Sequence, residues 1–201
     1  MPSDFSLSIK LAVEALMGAD PLERAALSGG VYDADARSLT INWYERPVMF
    51  RYENAALLWA DTGAPFDEQP ADIPIMHYLV NAKGTMPTGE YLPYRSLWGA
   101  NVQSGPFISR YQQELADRFG HSPEDILNNA KRLEATIERN GLDAVIDVKA
   151  FPHLPLRVML YGADDELPAE AKILYDSVIA DYLPTEDSIS VAEMLSRRLT
   201  A

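Results

Sequence analysis

The sequence of 201 residues contains no cysteine. This absence excludes disulfides, thiolate nucleophiles, iron–sulfur clusters held by cysteine, and zinc sites that contain cysteine. The start, Met1-Pro2-Ser3-Asp4, lacks the basic segment and the apolar stretch of a signal peptide. No apolar run approaches the roughly 20 residues that a membrane-spanning helix needs. We therefore expect a protein of the reducing cytoplasm that does not enter the membrane.

Positive charge is also scarce. The chain has 17 Lys and Arg residues against 30 Asp and Glu residues, which gives a formal net charge of −13. An acidic surface of this kind repels phosphate backbones and anionic lipid headgroups, so general nucleic-acid binding and lipid binding are disfavoured. The charge also keeps a protein in solution, and this explanation is preferred over a dedicated basic partner.

The hydrophobic content of 47% is typical of a globular chain, and the length suits one domain over residues 1–201. Apolar residues alternate with polar ones in residues 39–43 and 48–52, and again in 144–148 and 154–160, which predicts two hairpins. In the second hairpin we expect a buried set of Ile146, Val148, Leu156, Val158 and Leu160. Because the hairpins are separated by helical runs, the order favours the α+β class, an antiparallel sheet built from hairpins with helices packed against it.

Helix signals fill the intervals between the hairpins. Asp20-Pro21-Leu22-Glu23 is typical of a helix start, and residues 73–81 predict a buried helix. A further helix is expected from Ser122 to Gly141, and two closing helices are expected to begin near Pro168 and near Ser188. Periodicity leaves open whether Ala55–Ala60 is a strand or a helix.

An ordered series of short motifs resembles the DUF3786 family of uncharacterised bacterial and archaeal proteins. The motifs cover most of residues 73–199: Met76-His77-Tyr78-Leu79, Gly84 with Pro87-Thr88-Gly89-Glu90, Phe151-Pro152-His153-Leu154-Pro155-Leu156, Asp164 to Ala171, Leu174-Tyr175-Asp176 and Tyr182 to Asp187. His153 stands where the family frequently has arginine, and Tyr161 stands where it often has tryptophan.

The resemblance implies little chemistry, because the family is named for its unknown function. Some members carry a small iron–sulfur-binding domain similar to that of corrinoid methyl-transfer proteins, which implies a link to corrinoid or methyl-transfer metabolism. This chain has no cysteine for such a cluster, so a separate partner would have to supply it.

Asp164, Asp165 and Glu166 are the densest carboxylate cluster. Carboxylates can hold a divalent cation, but negative charge is also favoured at a helix start. Because Leu167-Pro168 follows, capping is the preferred interpretation. Glu124-Asp125 and Glu186-Asp187 occupy the same kind of position. No metal site is predicted, and the sequence identifies no cofactor.

The three histidines have no partner at helical spacing. His77 lies in an apolar stretch and is expected to be a hydrogen-bonded core residue, and His121 precedes a helix. His153 lies at the tip of a predicted hairpin. Although an exposed turn residue is the preferred interpretation, it is the histidine we single out as a candidate ligand-binding residue.

Lys83–Ser104 is a long irregular segment, with one short strand expected at Tyr91–Tyr94. Such segments are uncommon in compact domains unless they carry a function. Tyr91, Tyr94 and Trp98 offer aromatic faces, and Arg95, close to Glu90, offers a fork for an anion, so a pocket for a ring-bearing or anionic ligand is predicted. The alternative is that Tyr91–Leu97 packs as a strand and core lid, with Arg95 paired to a carboxylate.

Two functions follow from these candidates. The first is a non-enzymatic binding or accessory protein that recognises a protein partner or a small anionic or aromatic ligand. It is preferred because no catalytic motif is complete. The second is a small enzyme that uses Arg95 with Asp164, Asp165 and Glu166, with or without a divalent cation. The sequence allows a homodimer but does not require one.

Overall fold

A computed structural model of the protein describes residues 4–100 and 105–201. The helices are α1 (Asp4–Gly18), α2 (Pro21–Ser28), α3 (Asp72–Asn81), α4 (Gly105–Phe119), α5 (Glu124–Arg132) and α6 (Asp187–Thr200). Within these ranges, short 3₁₀ helices lie at Tyr94–Ser96 and Ser177–Asp181. Within the described ranges, no helix has the length and apolar character needed to cross a membrane.

The first hairpin belongs to a four-stranded antiparallel sheet, which we call the first sheet. Its strands are β1 (Val31–Asp33), β2 (Ser38–Trp43), β3 (Arg46–Arg51) and β4 (Ala56–Trp59), and they are ordered β1-β2-β3-β4. The undecided segment after residue 54 is therefore a strand, paired with β3 so that Phe50 lies opposite Leu57.

The second hairpin is the centre of a five-stranded antiparallel sheet, the second sheet. Its strands are β5 (Tyr91–Pro93), β6 (Thr136–Asn140), β7 (Asp143–Phe151), β8 (Leu154–Tyr161) and β9 (Glu170–Asp176), in the order β5-β9-β8-β7-β6. The predicted α+β class with antiparallel strands is confirmed, and the strands form two sheets. The short strand expected at Tyr91–Tyr94 is confirmed as β5, which ends at Pro93.

One face of the second sheet is buried, and helix α4 packs against β8 and β9 on that side of the molecule. The buried set predicted from the alternation is confirmed, since each member is no more than 1% exposed: Ile146, Val148, Leu156, Val158 and Leu160. The alternate positions Asp147, Lys149 and Arg157 are more exposed and mark the outer face of the sheet.

The two sheets meet at the end of β7. A register shift between Lys149 and Phe151 interrupts the pairing of β7 with β8. The carbonyl of Ala150 accepts a hydrogen bond of 2.9 Å from the backbone N–H of Tyr44, which follows β2. The irregularity thus provides an acceptor for the first sheet, and buried residues of both sheets join one core cluster.

The helix predicted from Ser122 to Gly141 is wrong in its second half. Helix α5 ends at Arg132, Glu134 has a φ of +55°, and residues 136–140 form β6. Ile137 has the spacing expected of a continued helix, but it lies in a strand and pairs with Ile146 on β7. Pairing with a free strand edge outweighed the helical periodicity.

The helix predicted to begin near Pro168 is also wrong. Residues 170–176 form β9, which lies between β8 and β5. Ala171, Ile173 and Tyr175 are buried, with the period of two that a strand requires. The acidic triplet therefore does not cap a helix. The starts predicted at Asp20 and near Ser188 are confirmed, since Asp20 accepts a hydrogen bond from Leu22 N–H and α6 begins at Asp187.

Candidate functional site

A groove of about 670 Å³ lies between the two sheets. Its lining comes from both sheets, so we call it the inter-sheet groove. The first sheet contributes Thr40, Ile41 and Asn42 on β2, and the second contributes Asp147 and Lys149 on β7. The volume lies in the range of about 300–1,000 Å³ that is usual for small-molecule sites.

Tyr91 forms part of the groove wall on the second sheet. The guanidinium of Arg157 lies 4.1 Å from the centre of its ring. Arg157 also donates two hydrogen bonds of 2.7 Å to the carboxylate of Asp147. This bidentate pair fixes the guanidinium plane, which then covers one face of Tyr91. Burial, followed by the charge of Asp147, raises the pKa of the Tyr91 phenol.

Lys149 supplies a free positive charge in the groove. Its side chain is exposed, and among the described residues no carboxylate pairs with its ammonium group. The apolar wall near it includes Phe151, Pro152 and Pro155. A cation beside apolar and aromatic surface is suited to an anion that carries a ring or a short hydrocarbon body.

The residues predicted on the irregular segment do not converge. Tyr91 lines the groove, but Tyr94 is buried in the core cluster. Arg95 and Glu90 are exposed, and Trp98 is 90% exposed. Arg95 and Trp98 are not part of the groove lining, and within residues 4–100 and 105–201 no carboxylate pairs with Arg95. The last part of the predicted segment, residues 101–104, lies outside the described residues.

His153 lies beside the groove, next to Pro152 in the turn between β7 and β8. Its ring packs close to Gly29, where a Cβ atom would come within 2.7 Å of Nε2. Gly29 has a φ of +69°, so this close approach and the backbone both require glycine. Burial, assisted by the charge of Lys149, lowers the pKa of His153, which favours a neutral imidazole.

The acidic triplet lies elsewhere, in a loop between β8 and β9. Asp164, Asp165 and Glu166 line a different cavity together with His121 and Asp117. Asp164 Oδ1 accepts hydrogen bonds from the N–H groups of Glu166 and Leu167, which lower its pKa. The carboxylate therefore closes a local turn. In the part of the chain that the structure describes, no group of three or more metal-ligating side chains is found.

Two of the short motifs meet at Asp176, the last residue of β9. Asp176 is fully buried, and its carboxylate accepts hydrogen bonds from the N–H groups of Thr88, Gly89 and Val178 and from the Thr88 hydroxyl. Burial by itself raises the pKa of a carboxyl group, but these bonds outweigh it and hold the pKa of Asp176 below its ordinary value. The motif at residues 87–90 is thus a loop held by the motif at 174–176.

Three other motifs meet in an aromatic stack. The ring of Tyr78 on α3 lies 4.2 Å from that of Phe151 and 5.0 Å from that of Tyr182. The Tyr78 hydroxyl donates to the carbonyl of Ser28 and accepts from the N–H of His153. Tyr182 donates to the carbonyl of Thr85, and burial raises the pKa of Tyr182 to about 12. The stack joins α3, β7 and the segment before α6, so it positions the groove wall.

A further polar series joins side chains of three helices. Ser8 Oγ on α1 is 3.0 Å from Nε2 of His77 on α3, and His77 Nδ1 is 2.6 Å from Oδ2 of Asp187 on α6. The hydrogen bond to Asp187 raises the pKa of His77, and burial opposes it. The expected hydrogen bonding of His77 is confirmed, but the expected core position is wrong, since His77 is partly exposed and lines a cavity. No local pattern points to the series, since its members are 69 and 110 positions apart.

The groove residues Asp147 and Lys149 were also missed, as was Arg157, which pairs with Asp147. A signal existed in the alternation of the predicted hairpin, which places all three on the outer face. The alternation does not predict that the first sheet lies opposite that face, and so it does not predict the groove.

Comparison with known proteins gave one family match. A family model described as "Domain of unknown function (DUF3786)" matches residues 20–198. No curated protein matches the chain, and no solved structure matches it.

Proposed function

Because the chain belongs to the DUF3786 family, whose description assigns no activity, we propose a binding function from the geometry of the inter-sheet groove. The protein is a binding protein, and its inter-sheet groove binds a small anionic ligand with an aromatic or short apolar body. The observation that carries the proposal is the unpaired Lys149 ammonium in a groove shared with Tyr91.

The charges in the groove define the ligand. Arg157 is held by Asp147, so its guanidinium is already neutralised. Lys149 is the cation that remains for a carboxylate, sulfonate or phosphate group. Glu134 also lines the groove, and its carboxylate disfavours a ligand with several negative charges. Glu45 lines the groove as well, but Arg198 neutralises it. A monoanion therefore fits better than a polyphosphate.

The apolar part of the ligand would lie along the wall formed by Val31 and Pro152, the groove-lining aliphatic residues that keep exposed surface. The Tyr91 phenol, which is protonated at neutral pH, adds a hydrogen-bond donor at the edge of that wall. An aromatic monoanion uses both features at once, since its ring replaces water on the wall while its charge faces the ammonium.

The test is a fluorescence titration with 8-anilinonaphthalene-1-sulfonate, an aromatic monoanion. Lys149→Gln should weaken binding about tenfold, the effect of losing one charge-assisted hydrogen bond. Arg95→Gln is the matched control, because it removes an exposed cation outside the groove and should leave the affinity unchanged. If Arg95→Gln weakens binding and Lys149→Gln does not, the site lies on the irregular segment and the groove is not the binding site.

We also propose that this binding role serves corrinoid or methyl-transfer metabolism as an accessory function. The family resemblance is the support for this setting, and the absence of cysteine assigns any iron–sulfur chemistry to a partner protein. Purification from the native host followed by absorption spectroscopy and mass spectrometry tests it. Recovery without a corrinoid or a methyl-transfer protein counts against the setting and leaves the groove proposal standing.

A further inference from the structure

The Ser8, His77 and Asp187 series is separate from the inter-sheet groove and lines a cavity of about 320 Å³, which we call the Ser8 cavity. We propose that Ser8 is a nucleophile, His77 its general base and Asp187 the group that orients the base, in a site that hydrolyses small neutral or cationic carboxylic esters.

The hydrogen-bond directions follow from the donor and acceptor chemistry. An ionised carboxylate can only accept, so the 2.6 Å contact with Asp187 places the imidazole proton on Nδ1. In the neutral imidazole Nε2 then carries a lone pair, and the Ser8 hydroxyl at 3.0 Å donates to it. This is the orientation in which an imidazole can take the serine proton as the oxygen attacks.

The local structure of Ser8 supports the same direction. A serine in a helix commonly bonds a carbonyl of the preceding turn of its own helix. Within the described residues, the partner of Ser8 Oγ is the histidine ring of another helix. Ser8 lies in the second turn of α1, and helical side chains lean toward the N-terminus. The side chain of Ser8 therefore leans toward the first turn of α1.

Burial is intermediate, as a reactive site requires. The His77 side chain is 19% exposed and that of Asp187 is 10% exposed. The pair is thus shielded enough to strengthen its hydrogen bond, while the edge of the imidazole still faces the cavity. Three different helices hold the three groups, and α3 packs against both α1 and α6.

The lining of the Ser8 cavity defines the substrate class. Pro70, Ile73 and Pro184 form apolar surface, whereas Glu186 adds a negative charge. The volume is at the lower limit for small-molecule sites, so only a short acyl group fits. The carboxylate of Glu186 disfavours an anionic substrate and favours a neutral or cationic one.

The reaction balances without a cofactor. Ser8 Oγ forms a bond to the acyl carbon as its proton passes to His77 Nε2. The ester C–O bond then breaks, and the leaving alcohol takes that proton. Water attacks the acyl-serine and gives a proton to His77. When the acyl–Oγ bond breaks, Ser8 regains that proton and the carboxylic acid is released.

His77 and Asp187 fall within the family match at residues 20–198, whereas Ser8 lies outside it. The proposal therefore concerns this chain and not the family as a whole. The competing explanation is that the hydrogen bonds only join α1 to α3 and α6. That role requires no reactivity of the serine oxygen, so chemical labelling separates the two.

The test is labelling of the full chain with a fluorophosphonate, followed by intact mass and peptide mapping. We expect one label on Ser8, no label in Ser8→Ala, and labelling at least a hundredfold slower in His77→Asn, the size of a lost general base. Ser190→Ala is the matched control, because Ser190 lines the same cavity. It should be labelled at the wild-type rate.

A second measurement needs no variant. Incubation with p-nitrophenyl acetate should release a burst of p-nitrophenol and leave one acetyl group on Ser8. Wild-type protein that takes no label, or that takes it on another serine, overturns the proposal even if Ser8→Ala fails to fold. Loss of this site would leave the anion titration of the groove unaffected, so the two proposals fail separately.

Discussion

Asp176 shows how one residue can determine the shape of a loop. Its buried carboxylate accepts four hydrogen bonds. Three of them come from the loop, namely from the N–H and the hydroxyl of Thr88 and from the N–H of Gly89. In Asp176→Asn the amide nitrogen replaces one acceptor and opposes a backbone donor. We expect the free energy of unfolding to fall by about 2–4 kcal/mol at neutral pH. Urea denaturation measures it, with the exposed residue change Asp165→Asn as the control that should have little effect.

The loss of stability in Asp176→Asn should depend on pH in one direction only. The pKa of Asp176 is depressed in the folded protein, so its stabilisation is present above the ordinary carboxyl pKa near 4 and is lost as the pH falls through the folded value. The difference between wild type and Asp176→Asn should therefore shrink as denaturation is repeated from about pH 5 toward about pH 2. A difference that stays constant over this range would show that the charge of Asp176 is not the source.

At the scale of the element, β8 has one buried and one open face, which a pair of substitutions can separate. Leu156 is fully buried, so Leu156→Ala should lower the free energy of unfolding by about 2–5 kcal/mol. Met159 is on the outer face of the same strand and is partly exposed. Met159→Ala should lower it by about 1 kcal/mol or less. Equal losses in denaturant melts would contradict the assignment of the faces.

The sequence predicted those elements in which local signals and tertiary pairing agree. The two hairpins, α2, α3 and α6 belong to this class. It failed at β6 and β9, where the local signals of a helix were present. Ile137 and Ile173 became strand residues because neighbouring strands offered unpaired backbone groups. Such competition between local preference and pairing is not visible to a short window of sequence.

The candidate site was predictable to a smaller extent. Tyr91 was identified as a binding residue and lines the groove, a role that still awaits a binding experiment. The partners of Tyr91 in the groove come from β2 and β7, and their proximity depends on how the sheets meet at Tyr44 and Ala150. The Ser8 cavity depends in the same way on the packing of three helices. Neither arrangement corresponds to a motif of fixed spacing in the sequence, so neither could be predicted from it.

At the scale of the whole molecule, the two sheets depend on each other for burial. Trp43 of the first sheet packs 4.8 Å from Phe151 of the second, and Phe151 stacks on Tyr78 of α3. The hydroxyl of Tyr44 donates to the carbonyl of Val191 on α6. Separating the sheets would expose these side chains and leave the buried backbone groups without partners. The free energy that stabilises each sheet therefore includes the contact between them.

This dependence predicts that the chain unfolds as one cooperative unit. The three tryptophans make the test direct, since Trp43 and Trp59 are on the first sheet and Trp98 is exposed. In a Trp98→Phe background, fluorescence reports the first sheet, and far-ultraviolet circular dichroism reports the helices, including α4 on the second sheet. We expect the two denaturation midpoints to coincide. Adding Leu156→Ala, a change within the second sheet, should shift both midpoints equally. A fluorescence midpoint that does not move while the dichroism midpoint falls would mean that the first sheet unfolds independently, and that the chain has two domains.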